Sequence, residues 1–173
     1  MTNLRILRKS RKREPGDVFT YQLSDLRFGF GLLVRDDALF EGDDPVEGPT
    51  GMYLIYIYNA FADSSLTVPS LTKDNLLLPP LLTDRTPWTH GYFERIAHWP
   101  LTSEVCFNRH CFFDRTYSKP SYFDEYGRRL PKRFEPCGDF WIHSCFTIDQ
   151  DICKALGLRV NDDDPRSLPG VRK

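Results

Sequence analysis

No apolar run in this chain approaches the roughly 20 residues that cross a bilayer, and no apolar stretch follows its basic start. Neither a spanning helix nor a signal peptide is expected. An excess of one charge is missing as well: 23 Lys and Arg stand against 24 Asp and Glu. Net charge therefore gives no argument for a nucleic-acid or membrane-surface partner. Cysteine is sparse and odd in number, at positions 106, 111, 137, 145 and 153. That pattern points to reduced thiols in a cytoplasmic protein, each acting as a small buried hydrophobe. There is no internal repeat, no low-complexity segment and no glycine fingerprint for a phosphate.

What the chain has in quantity is aromatic side chains, with 13 Phe, 8 Tyr and 3 Trp in 173 residues. They favour strands and supply large buried areas. The length suits one domain with its own core. In the segment 16–24, Phe19, Tyr21 and Leu23 alternate with Val18, Thr20, Gln22 and Ser24. Phe28, Phe30, Leu32 and Val34 share a face of the next segment. Period-two alternation predicts two strands, each with one face on a core, joined as an antiparallel hairpin. Gly29 and Gly31 leave room on the other face for a bulge or a close backbone approach. The stretch 52–58, apolar on both faces, predicts a central strand covered on both sides.

Between these lies an acidic loop holding Asp36, Asp37, Glu41, Asp43, Asp44 and Glu47, broken by Gly and Pro. Residues 63–87 carry four prolines among leucines. They predict a crossover over the sheet, with a short helix at 72–77. Gly91 suits a turn before a strand, and 105–117 holds more aromatic strand material. Tyr122 to Arg129 predicts an exposed hairpin turning at Gly127. A strand is expected over 140–146. Thr147 and Gln150 then fit a capping box, for a helix that stops at Gly157. The expected organisation is a basic flexible arm (1–14), one β-rich domain (15–158) and a loose tail (159–173). The fold class is mainly β (α+β): a strongly twisted antiparallel sheet, or a partly open barrel, with one or two short helices.

The chemistry-bearing residues do not assemble into a motif. His110-Cys111 and His143-Ser144-Cys145 are the closest metal-like sets, and neither has the spacing of a zinc site. Positions 143 and 145 share a strand face, but Trp141 shares it too, which suits packing equally. No nucleophile elbow is present. The carboxylates of 36–47 sit in a broken loop, where a solvated turn is the ordinary outcome. Their other use is to meet a basic partner surface, where complementary charge speeds association. Nucleases have such surfaces, because their clefts hold phosphates. The basic arm is ordinarily a frayed terminus, and it lacks the aromatic interleaving of a nucleic-acid binder.

Two blocks resemble the immunity protein 26 family of bacterial polymorphic toxin systems. The first is Lys12-Arg13-Glu14-Pro15-Gly16-Asp17-Val18-Phe19, then Leu23 and Phe28-Gly29-Phe30-Gly31-Leu32-Leu33. The second is Trp88, Gly91, Phe93 and Ile96, followed by Pro100-Leu101. The likeness spans about residues 12–130. It implies a β-rich, non-enzymatic protein that binds and neutralises a toxin domain encoded by a neighbouring gene. The segment after 130 and the basic start look like additions to that family pattern. The motif residues themselves read as scaffold. Asp17 would cap the turn before the first strand, and Trp88 would be a core anchor.

The expectation for function is thus a stoichiometric toxin inhibitor with no catalytic residue, metal or cofactor. Direct nucleic-acid or membrane binding is not expected, and oligomeric state is left open. Partner contacts would come from Asp36, Asp37, Glu41, Asp43, Asp44 and Glu47, and from Tyr122, Tyr126, Arg128 and Arg129, since Tyr and Arg are enriched at interface centres. Tyr92 is a further anchor candidate. The alternative is a small-barrel nucleic-acid module or ribonuclease-type toxin, which needs a basic face and a proton-transfer pair.

Overall fold

The hairpin at the start of the chain organises everything else. In the computed structural model, which describes residues 3–10, 12–38, 52–158 and 160, β1 (Asp17–Gln22) pairs antiparallel with β2 (Phe28–Ala38). β2 in turn pairs with β3 (Met52–Ala62). To these are added β4 (Leu81–Thr83), β5 (Glu94–His98) and β10 (Ile142–His143), giving a six-stranded sheet in the order β10-β4-β3-β2-β1-β5. A second sheet has the order β8-β7-β6-β9. It is built from β6 (Cys111–Asp114), β7 (Ser121–Phe123), β8 (Arg129–Leu130) and β9 (Cys137–Asp139). Two helices complete the described fold, α1 (Thr86–Thr89) and α2 (Cys145–Ala155). The class is mainly β with short helices, and neither sheet closes into a barrel. Each sheet contains one parallel pair, β10 with β4 and β6 with β9, so both are mixed rather than purely antiparallel.

The large sheet is buried on both faces, not one. Phe19 lies opposite Gly31 and Tyr21 opposite Gly29, while Val18 lies opposite Leu32 and Thr20 opposite Phe30. The aromatic face of β1 is therefore the glycine face of β2. One core takes Phe19, Tyr21, Leu33, Ile55 and Ile57 under Leu4, Trp88, Phe93, Ile148 and Ile152. The other takes Val18, Phe30, Leu32, Leu54, Tyr56 and Tyr58 under Leu71 and Phe112. Helices cover the first face, and the crossover and second sheet cover the other. β3 is central and buried on both sides, as its composition predicts. Trp88, 1% exposed, meets Phe19 and Phe93 edge-on. Phe19 stacks on Phe93 at 4.3 Å. Such aromatic pairs add about 0.5–1.5 kcal/mol each beyond area burial.

Gly31 is required by this arrangement. A Cβ there would run into the Phe19 ring and lie 2.6 Å from the Tyr56 carbonyl oxygen. Neither can yield cheaply, since one is a packed core ring and the other is backbone. Gly31→Ala is expected to cost about 1–3 kcal/mol through overpacking, read as a fall in thermal midpoint. An unchanged midpoint would show that the ring has somewhere to go.

Four sequence expectations are corrected. The basic start is docked: the Asn3 amide donates to Asp149 Oδ2 at 2.6 Å, Leu4 is buried, and Leu7 and Ser10 donate to the Gly91 and Trp88 carbonyls. No helix forms at 72–77, where Asn59 and Asn75 bond the segment to β3 instead. The strand expected over 140–146 is only β10, because Ser144 opens α2. Its hydroxyl accepts the Thr147 amide, which puts the N-cap three residues before Thr147. Starting there aims Ile148 and Ile152 at the core. The helix stops at Gly157 as expected, with the Leu158 amide donating to the Cys153 carbonyl. Finally, Asp36 and Asp37 lie at the end of β2 rather than in a loop.

Candidate functional site

The hairpin β7–β8 is shaped by its turn. Asp124 Oδ1 accepts the amides of Tyr126 and Arg128, both at 2.9 Å, and Gly127 takes φ 79°. This geometry fixes opposite directions for the residues of the tip. Glu125 turns inward and is 5% exposed. Its Oε2 accepts the His110 amide at 3.2 Å, and its Oε1 lies 3.2 Å from His110 Nδ1, a contact of charge more than of alignment. His110 Nε2 meets the Tyr56 hydroxyl at 2.5 Å, and that hydroxyl also accepts the Phe107 amide. A polar chain thus runs from the hairpin tip through the loop before β6 to the middle of β3. Burial opposes charge on Glu125, but the hydrogen bonds and charge of His110 prevail and hold its carboxyl below the usual range. Burial drives the Tyr56 hydroxyl well above the ordinary tyrosine value.

Tyr126 turns outward. The Arg35 guanidinium lies 4.5 Å from its ring centroid and that of Arg128 lies 5.0 Å away. Arg35 also grips Asp37 through two hydrogen bonds, at 2.9 and 3.0 Å. Asp37, Arg35, Tyr126 and Arg128 therefore form one continuous patch where β2 meets the hairpin. Arg128 and Asp37 are its exposed members, and Asp36 is exposed too. Arg35 is the member that sequence reasoning missed. Its signal was faint: a single cation two residues before the second of two aspartates at a strand end.

The remaining candidates separate from this patch. Tyr122 packs on Phe113, with ring centroids 5.5 Å apart. Arg129 donates to Ser121 Oγ at 3.3 Å. The two line a shallow hollow at the base of the hairpin with Pro120 and Pro131. Tyr92 packs partly buried against the first core, next to His90. Glu41, Asp43, Asp44 and Glu47 lie outside the described residues.

The metal-like sets do not converge. His110 is spent on Tyr56 and Glu125. His143 ends β10 while Cys145 opens α2, so they share no strand face. Among the described residues, Glu14, Asp17 and His98 do bring ligand atoms together. Arg95 already supplies the positive charge there, with Nε 2.7 Å from Asp17 Oδ1 and Nη2 3.1 Å from Glu14 Oε1. Asp17 Oδ2 accepts the Glu14 amide at 3.0 Å, the turn-capping role its Gly-Asp context predicts. This cluster is a clasp between β1 and β5.

A patch of Arg, Tyr and Asp thus lies where β2 meets the hairpin, with Glu125 and His110 buried beneath it. The chain belongs to the immunity protein 26 family, whose family model matches residues 14–119. No curated protein and no solved structure matches it. The matched span is shorter than the 12–130 suggested by sequence. It contains the second motif block and the first from Glu14 onward, and ends just before β7, so Tyr126 and Arg128 lie beyond the matched span while Arg35 and Asp37 lie within it.

Proposed function

We propose that this protein is an immunity protein that binds a cognate bacterial toxin domain, encoded by a neighbouring gene, and neutralises it in the cytoplasm as a stoichiometric complex without catalysis. The observation that carries this reading is the family match, together with an Arg–Tyr–Asp patch at the point where the chain leaves the matched span. Tyr and Arg are the residues most often found at interface hot spots. They stand on a hydrogen-bonded turn and a paired strand, which lessens the entropy lost on docking. Among the described residues, His98 pairs with Asp17 in the clasp beside Arg95, and the Tyr56–His110–Glu125 chain joins an acid to a base but is sealed from solvent. That sealed set therefore gives no support to the ribonuclease-type toxin reading.

The test is co-expression of the toxin domain encoded beside this gene, with and without this protein, followed by growth and co-purification. Rescue with a stable one-to-one complex supports the reading. Failure of rescue with both proteins soluble overturns it. In the same complex, Asn at Asp36, Asp37, Asp43 and Asp44 is expected to slow association about tenfold at low salt and to flatten its salt dependence. If neither changes, these carboxylates are only solvated surface.

A further inference from the structure

Five cysteines are free, but two of them are not apart. Cys111 on β6 and Cys137 on β9 are direct partners in the parallel pair, and their sulfurs lie 3.2 Å from one another. Cys111 is fully buried, whereas Cys137 is 9% exposed and lines a cavity of about 540 Å³ with Phe113, Arg115, Arg133 and Lys154. Cys137 is therefore the one of the two that a small reagent in the cavity can approach. The segment between the two cysteines, 112–136, carries the whole β7–β8 hairpin.

We propose that Cys111 and Cys137 form an oxidative modification site, in which a hydroperoxide entering the cavity converts the pair to a disulfide that closes the loop bearing the hairpin. The Cys137 thiolate attacks the terminal oxygen of the hydroperoxide and the O–O bond breaks. The rest leaves as an alcohol or water after taking a proton, and Cys137 is left as a sulfenic acid. Cys111 then attacks that sulfur, the S–O bond breaks, and the hydroxide leaves as water with the Cys111 proton. Two thiols and one hydroperoxide give one disulfide, one alcohol (water, from hydrogen peroxide) and one water, so the two electrons from the pair end on the oxygens. Only the side chains need to turn, because the strands already hold the two residues opposite one another.

Burial pushes the Cys137 thiol up to about 12, although Arg133 works against this. Few molecules carry the thiolate at neutral pH, so the reaction is slow and quickens about tenfold for each unit of pH. In a reducing compartment the pair rests as thiols and closes only under oxidant, to be reopened by a dithiol reductant.

The experiment treats the native full chain with hydrogen peroxide, then quenches it in denaturant with a maleimide. The expected result is loss of two hydrogens per chain, maleimide uptake falling from five thiols to three, and a cross-linked peptide joining positions 111 and 137. The thermal midpoint should rise by roughly 5–10 °C, from closure of a loop of about 25 residues. Cys111→Ser should leave a Cys137 sulfenic acid that dimedone captures. A different cysteine pair, oxidation spread equally over positions 106, 145 and 153, or sulfinic acid without a cross-link would overturn the proposal. So would native protein whose pair stays reduced after prolonged peroxide treatment at alkaline pH, where the thiolate is populated. Each reading is independent of any toxin.

Discussion

Glu125→Gln is expected to lower the unfolding free energy by about 3 kcal/mol at neutral pH, because it removes the buried carboxylate that the His110 amide and ring nitrogen face and leaves those polar groups poorly paired in a site sealed from water. For a domain of this size that is a fall of roughly 6–12 °C in thermal midpoint. The pH dependence should change with it. His110 holds the Glu125 carboxyl below its ordinary value, so the ionised form favours the folded chain. Its contribution is fully present above the unfolded carboxylate range, near ~4.3. It is lost as pH falls through the folded value, where the native carboxylate must take a proton. Glu125→Gln has no such proton to bind, so its stability should fall less steeply in acid than that of the wild type. Urea denaturation from pH 3 to 7 reads both effects. A variant with wild-type stability and an unchanged acid limb would mean that the contact between Glu125 and His110 contributes nothing.

The same substitution reaches the surface. Glu125 is the inward half of the turn whose outward half is Tyr126, so loosening one should loosen the other. Faster amide exchange at Gly127 and Arg128, with β1–β3 unchanged, would be the local signature. The shape of the tip thus depends on a buried polar chain that runs from Glu125 to Tyr56, 69 residues earlier in the sequence.

The strands were legible wherever alternation was strong. β1, β2 and β3 follow from where Phe, Tyr and Leu recur, and the hairpin at Gly127 follows from its turn chemistry. For β1 and β2 the second buried face was hidden, because Thr20 reads as polar. In the fold its hydroxyl donates to the Gly29 carbonyl at 2.9 Å, so it sits fully buried without cost. The parallel pairs were not legible, since a strand of two or three residues has no period of its own and pairs only because distant elements hold it there. The helix start was misplaced because Ser144 and Thr147 are both good caps. The choice between them fell to the core, which needs Ile148 and Ile152 on one face. At the candidate site, Asp37, Tyr126 and Arg128 were read from residue type and turn context. Arg35 was not, because stacking on Tyr126 brings together residues 91 positions apart in sequence.

The largest effect on binding is expected from Tyr126→Ala combined with Arg128→Glu. Tyr126 is the only member of the patch with large apolar area, and it lies between two guanidiniums. Removing the ring takes away the stacking surface and leaves Arg35 to its ion pair with Asp37. Reversing the charge at Arg128 then sets repulsion against whatever acidic group the toxin presents there. Together these should raise Kd about 100-fold or more, roughly 2.7 kcal/mol, and mostly through faster dissociation, as losses at an interface centre usually do. Neither residue belongs to either core, so the thermal midpoint should stay within about 2 °C of wild type, the shift that a surface change allows. Ile6→Ala serves as the control: Ile6 is 68% exposed and lies against Gly91, among elements that do not contribute to the hairpin patch. It should bind as the wild type does. If the double variant also binds as the wild type does while co-expression still rescues growth, the immunity reading stands and the interface is elsewhere. The hollow lined by Tyr122 and Arg129 at the base of the same hairpin would then be the next surface to reverse.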